Sequence, residues 1–212
     1  METLGTIKSK ACQALAGNWV DAALAAFIYL LVYIVLYSVV YIVAFFCIGS
    51  ENVGDLLANI VSLTLLPLSY GLSVFCLLLH RSGTPKLAVL FEGYKDFWQV
   101  FGTKFLQGLF TILWSLLFII PGIVKSYSYA MTDFVLRDNP ELSCNGAIER
   151  SMALMQGHKM KLFLLDLSFI GWAILSLFTL GIGFFWLIPY RLTAFAEFYK
   201  ELLDEENTEK QL

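Results

Sequence analysis

The sequence predicts an all-α, polytopic membrane bundle of six transmembrane helices, with three further amphipathic helices at the membrane interface. Three observations predict it. Of 212 residues, 58% are hydrophobic and 15% charged, with a mean hydropathy of +0.73, whereas soluble domains run at roughly 45–50% apolar and about 25% charged. Several uncharged apolar runs reach the roughly 20 residues that cross about 30 Å of hydrocarbon. The basic residues fall on one side of the resulting topology. This composition excludes a water-soluble globule, a disordered chain and a fibrous repeat, and a formal charge of −3 leaves no nucleic-acid footprint.

Residues 22–48 form an uncharged apolar run, far beyond a signal-peptide core of about 7–15 residues, so they read as a true span. Residues 56–79 and 105–124 are also uncharged and of spanning length. Residues 162–190 contain one charge, Asp166. As a single helix they would measure about 43 Å at 1.5 Å per residue. Gly181 and Gly183 offer a turn, which divides the run into spans 162–178 and 184–199. The remaining candidate, 122–136, is short and carries Lys125 and Asp133. Topology argues for it. With six crossings and a cytoplasmic N-terminus, twelve of the fourteen Lys and Arg lie in inner segments, the positive-inside pattern. Without this crossing the basic loop 137–161 would face outward. The alternative is five spans with an outer C-terminus. The outer loop 49–55 is acidic.

The inner segments carry apolar stripes at helical spacing. Leu4, Ile7, Ala11, Ala14 and Leu15 form the first. Leu87, Leu90, Phe91, Tyr94, Phe97, Trp98 and Phe101 form the second. Ile148, Met152 and Met155 form the third. Such helices suit the headgroup level. Each stripe leads to a glycine, at Gly17, Gly102 and Gly157, and each unit later has an apolar-Pro step at Pro67, Pro121 and Pro189. The chain therefore reads as one integral membrane domain, 1–212, with an irregular threefold hairpin pattern over 1–80, 81–138 and 139–203. Residues 204–212 form an acidic tail.

The stretches Ile120-Pro-Gly-Ile-Val-Lys-Ser-Tyr-Ser-Tyr129 and Lys161-Leu-Phe-Leu-Leu-Asp166 occur in one order with Gly181-Ile-Gly-Phe-Phe-Trp186, Pro189-Tyr190 and Ala196-Glu-Phe-Tyr199. In this they resemble a family of bacterial integral membrane proteins, catalogued as domain of unknown function 975. The resemblance runs over nearly the whole chain. It implies a bacterial cell membrane and a multi-span bundle, and no activity.

Ionisable groups inside a bilayer are costly and mark functional sites by default. Here they are Asp21, Asp133, Asp166, Arg191 and Glu197, with Lys125 at the outer edge. Two readings stand. Asp133, Asp166, Arg191 and Glu197 form a cluster that binds a headgroup, an ion or protons; or Asp166–Arg191 is a buried pair that fixes helix register. His80 and His158 read as interfacial residues. Tyr29, Tyr33, Tyr37 and Tyr41 recur every four residues on the first span, a packing stripe. Cys12, Cys47, Cys76 and Cys144 show no pairing spacing. Nucleophile-elbow, zincin and phosphate-loop signatures are absent from the sequence. The expectation is a non-enzymatic membrane protein without cofactor or metal centre, both termini cytoplasmic. It would organise lipid or a membrane partner, which could be a second copy. The alternative is a small transporter or export accessory that uses the polar cluster.

Overall fold

A computed structural model describes residues 2–48 and 51–211. Helices make up 83% of the structure, and no strand occurs among the described residues. Helix α1 (Leu4–Leu15) opens on Thr3, whose hydroxyl accepts the Thr6 N–H, a side-chain cap. Its Ile7, Ala11 and Leu15 stripe is real, but it is fully buried against the protein, chiefly against the C-terminal helix. Gly17 ends the helix at φ +86°, a left-handed conformation that glycine takes without a Cβ penalty. Gly157 does the same at φ +85°. The expected second junction is different, because Gly102 lies inside a continuous helix.

Helix α2 (Trp19–Ile48) exposes apolar residues along most of its length. Asp21 stands in its first turn, where the helix dipole favours an anion. The run 56–79 is not one helix. α3 (Glu51–Leu63) lies along α2, and α4 (Leu66–Ser82) enters the core after a break at Thr64 and Leu65. Pro67 sits in the first turn of α4, where its missing N–H costs nothing. Of the expected outer loop 49–55, residues 49 and 50 lie outside the described residues, and the rest begins α3.

The stripe from Leu87 to Phe101 is also not one α-helix. Leu87–Tyr94 form a 3₁₀ helix, and α5 (Phe97–Leu117) begins after a turn. Close packing on α4 explains the change. A Cβ on Gly71 would stand 1.9 Å from the Leu90 carbonyl oxygen, so the 3₁₀ backbone rests directly on α4. Leu90 is consequently buried, while Phe91, Tyr94 and Trp98 stay exposed. Tyr94, Phe97, Phe101 and Phe105 stack in succession at centroid spacings of 6.2, 5.4 and 6.0 Å.

The turn after α5 falls at Phe118, with extended backbone, rather than beyond Pro121. α6 (Ile119–Ser128) folds back along α5, with Pro121 in its first turn. α7 (Thr132–Asp138) continues after a break that Ser151 mends: its hydroxyl donates to the Ser128 carbonyl at 2.9 Å and accepts the Met131 N–H at 3.2 Å. α8 (Cys144–Leu154) turns Ile148 and Met155 inward. α9 (Lys159–Leu167) and α10 (Ile170–Phe178) share the apolar run 162–178, bent at Ser168 and Phe169. The expected turn at 179–183 is present, with positive φ at Leu180 and Gly181. α11 (Phe184–Glu209) then runs through the middle, burying every residue from Thr193 to Tyr199.

Among the described residues, four helical stretches are long and apolar enough to cross a membrane: Trp19–Cys47, Asn52–Ser82, Phe97–Leu117 and Lys159–Phe178. The 122–136 and 184–199 segments lie on α6–α7 and α11. In an apolar 18-residue window of the first stretch only 6% of the residues are buried within the protein, and in one of the third 11%. Soluble monomers rarely leave apolar faces of that extent open to water.

Gly71→Ala tests the α4 contact. Its methyl meets backbone that cannot move aside, so the variant should lose about 1–3 kcal/mol. Gly108→Ala, inside α5 with nothing within 4 Å of its Cβ, should keep or slightly raise the melting temperature in detergent, because alanine is the better helix former. Equal melting of the two variants would contradict the packing described.

Candidate functional site

The polar residues expected to cluster divide into two groups. Asp166, at the end of α9, and Arg191, in the second turn of α11, do pair. The guanidinium donates through Nε to Oδ1 at 2.5 Å and through Nη2 to Oδ2 at 2.9 Å. Such two-pronged pairing fixes orientation as well as charge. The Tyr127 hydroxyl of α6 donates to the same Oδ2 at 3.0 Å, and the Phe195 ring lies 4.8 Å from the guanidinium carbon. Asp133 of α7 accepts from Lys104 Nζ of α5 at 2.7 Å.

These groups border two adjoining cavities. The larger, about 480 Å³, has Tyr127, Lys104, Asp166 and Arg191 among its walls, and beyond them Phe163, Ile170, Leu187 and Ile188. Leu167 and Ile170 belong to the same lining and are about half exposed, so the apolar part reaches the outer surface of the bundle. The smaller cavity, about 270 Å³, includes Asp133 and shares Ser73, Tyr127, Asp166 and Arg191 with the first. The set Lys104, Arg191, Asp133 and Asp166 carries two charges of each sign. Tyr29, the first residue of the tyrosine stripe, faces the larger cavity, whereas Tyr33 and Tyr37 stack on each other at 6.3 Å.

Glu197 stands elsewhere. It is 1% exposed, with His80 Nε2 2.7 Å from Oε2 and Lys10 Nζ 3.2 Å from Oε1. His80 is therefore not an interfacial residue: α4 carries it inward to the buried carboxylate of α11. Helical periodicity places both residues on inward faces, but nothing local in the sequence couples positions 80 and 197. Lys104 was likewise not singled out, because a lysine near a span end ordinarily reaches water. Lys125 lies over the Trp114 ring at 4.9 Å.

Further ion pairs tie the basic end of the bundle. Arg81 donates twice to Asp138, at 2.7 Å each, and the Tyr199 hydroxyl donates to the same carboxylate at 3.0 Å. Arg137 donates to Glu92 at 2.8 Å. Arg150 of α8 grips Glu206 of α11 with both Nη atoms. The Arg150 and Lys210 hydrogen bonds hold the Glu206 carboxyl down at about 2.

The Asp166–Arg191 pair should behave as a coupled unit. Asp166→Asn and Arg191→Gln should each lower the melting temperature. The double variant should lose less than the sum, with a coupling of about 1–3 kcal/mol. Additive losses would mean that the pair contributes no joint stability. The Glu206 clasp adds a pH dependence. Its depressed carboxyl stabilises the fold fully above pH 4.5, the ordinary value, and that contribution fades as pH falls towards 2. Melting temperature should therefore drop more steeply between pH 5 and pH 3 in the native protein than in Glu206→Gln; parallel curves would refute the clasp.

No curated protein and no solved structure matches the chain. A family model does match, over residues 118–206. That stretch runs from the start of α6 nearly to the end of α11, and it contains Tyr127, Asp133, Asp166, Arg191 and Glu197. Their partners Lys10, His80 and Lys104 precede it. The match is narrower than the whole-chain resemblance expected from the motifs, but the family is the same one: over residues 118–206 this chain matches the family described as Protein of unknown function (DUF975).

Proposed function

We propose that this is a non-enzymatic, six-span protein of the bacterial cell membrane, with both termini cytoplasmic, that holds and organises lipid. One observation carries the reading: the 480 Å³ cavity is lined by Lys104, Tyr127, Asp166 and Arg191 and, one to two helical turns away along α10 and α11, by Ile170, Ala173, Leu187 and Ile188, with Leu167 and Ile170 half exposed on the outside of the bundle. That division is the shape of an amphiphile. A head group would meet Lys104, Tyr127, Asp166 and Arg191, and an acyl chain would leave between Leu167 and Ile170. Because the two cations there are balanced by Asp133 and Asp166, the site favours a zwitterionic phospholipid over a multiply charged anion. Its phosphate would face the cations and its ammonium the carboxylates.

The topology is supported by the one-sided placement of basic residues and by helix lengths. α6 and α7 together cover residues 119–138, about 30 Å at 1.5 Å per residue. The exposed Phe91, Tyr94 and Trp98 would sit at headgroup level on the cytoplasmic side, where tyrosine and tryptophan concentrate. The apolar stripes of α1 and α8 serve a different purpose, since they face protein.

A second reading, a small transporter or export accessory, is favoured by one observation: the Asp166–Arg191 pair borders both adjoining cavities. An opened pair would join them.

Native mass spectrometry of the protein from membranes containing phosphatidylethanolamine and phosphatidylglycerol tests the first reading. One zwitterionic lipid should be retained per chain. Lys104→Gln and Arg191→Gln should each reduce the retained fraction about tenfold, roughly 1.4 kcal/mol, with helix content unchanged. Only bulk lipid, or retention indifferent to both substitutions, would overturn it. No retained lipid together with solute flux in vesicles that Asp166→Asn abolishes would favour the transporter.

A further inference from the structure

A second polar site lies apart from the lipid cavity, where the N-terminus meets α11. Glu197, Glu201 and Glu205 follow one another at i, i+4 and i+8, so α11 presents three carboxylates on one face. Like charges at that spacing repel. Glu2, just before α1, adds a fourth. One carboxylate oxygen from each of Glu2, Glu197 and Glu201 falls within 4.8 Å of the others. The three border, with Asp204 and Glu205, a cavity of about 380 Å³.

The positive charges among the described residues do not fully answer this set. Lys10 reaches Glu2 at 2.5 Å and Glu197 at 3.2 Å. Lys200 lines the cavity, and Lys161 approaches Glu201 at 3.5 Å. Among the described residues, five carboxylates thus face three ammonium groups and the His80 imidazole, which lies 2.7 Å from Glu197. What is left unanswered concentrates on Glu201. Its side chain is 9% exposed, and neither carboxylate oxygen receives a hydrogen bond. One Glu205 oxygen is also buried without a donor. A buried carboxylate left in this way costs several kcal/mol unless a cation or a proton completes it.

We propose that Glu2, Glu197 and Glu201 bind one divalent hard cation of the Mg²⁺, Mn²⁺ or Ca²⁺ class, which clips the N-terminal segment to α11. The donor set is all carboxylate oxygen, which such ions prefer, and no sulfur or second imidazole is present to select zinc. An oxygen separation of up to 4.8 Å spans a single ion at about 2.3–2.6 Å per bond. A divalent ion supplies the positive partner that the Glu201 oxygens lack. Water completes the remaining positions from the open side of the cavity.

The probe is Mn²⁺, followed by electron paramagnetic resonance on the full chain in detergent, with competition by Mg²⁺ and Ca²⁺. One bound Mn²⁺ per chain is expected, displaced by either competitor. Glu201→Gln should weaken binding at least about tenfold. Glu2→Gln, a change at an exposed position outside the core, should also weaken it and leave helix content and melting temperature without metal unchanged. The proposal is overturned if no Mn²⁺ binds at one per chain, or if both variants bind as the native protein does. It is also overturned if Glu201→Gln raises the metal-free melting temperature while Mn²⁺ has no effect on the native protein, since a proton would then satisfy the site. None of these outcomes depends on lipid retention.

Discussion

Helix α11 cannot escape its surroundings, and much of the bundle is arranged to satisfy it. Every residue from Thr193 to Tyr199 is buried, so any charge the helix carries in its inner turns must find a partner inside the protein. Three of them do so on different elements: Arg191 with Asp166 of α9, Glu197 with His80 of α4 and Lys10 of α1, Glu206 with Arg150 of α8. Ion pairs are weak sources of net stability when their desolvation is counted, yet losing one partner is expensive. Their effect here is to specify arrangement. A rotation of α11 by one residue, about 100°, would turn several of these groups away from their partners at once.

Around that centre the apolar residues serve two different solvents. Ile7, Ala11, Val74, Phe134 and Phe198 are packed against protein, whereas Leu31, Ile34, Leu113 and Ile174 look outward. A helix such as α2, apolar on all sides, gains nothing from water and needs a hydrocarbon environment. α1 and α8 are amphipathic, and the core takes up their apolar faces. The difference explains why an apolar stripe alone does not indicate what it will touch.

The two candidate sites follow from the same economy of charge. At the Asp166–Arg191 centre the charges cancel, and the vacancy beside them is divided between polar and apolar walls. At the junction of the N-terminus with α11 they do not cancel, and Glu201 is left without a donor. On the readings proposed above, one site takes a ligand that is neutral overall and polar at one end. The other favours a compact positive charge.

The presence of helices apolar and long enough to span a membrane, the all-helical class, the turn at 179–183 and the pairing of Asp166 with Arg191 were legible in the sequence. Each rests on run length, glycine placement or the cost of a lone intramembrane charge, all local properties. Local pattern could not foresee the breaks at Thr64 and Phe118 or the 3₁₀ segment Leu87–Tyr94. These depend on how closely two backbones approach, as at Gly71 and Leu90. Nor could it join His80 to Glu197, or Glu2 to Glu201, because residues far apart in the chain become neighbours only when α1, α4 and α11 dock. Composition and periodicity decided where most helices form and that four helical stretches are long and apolar enough to cross a membrane. Tertiary packing decided which charges meet, since a contact across nearly the whole chain leaves no periodic trace in the sequence.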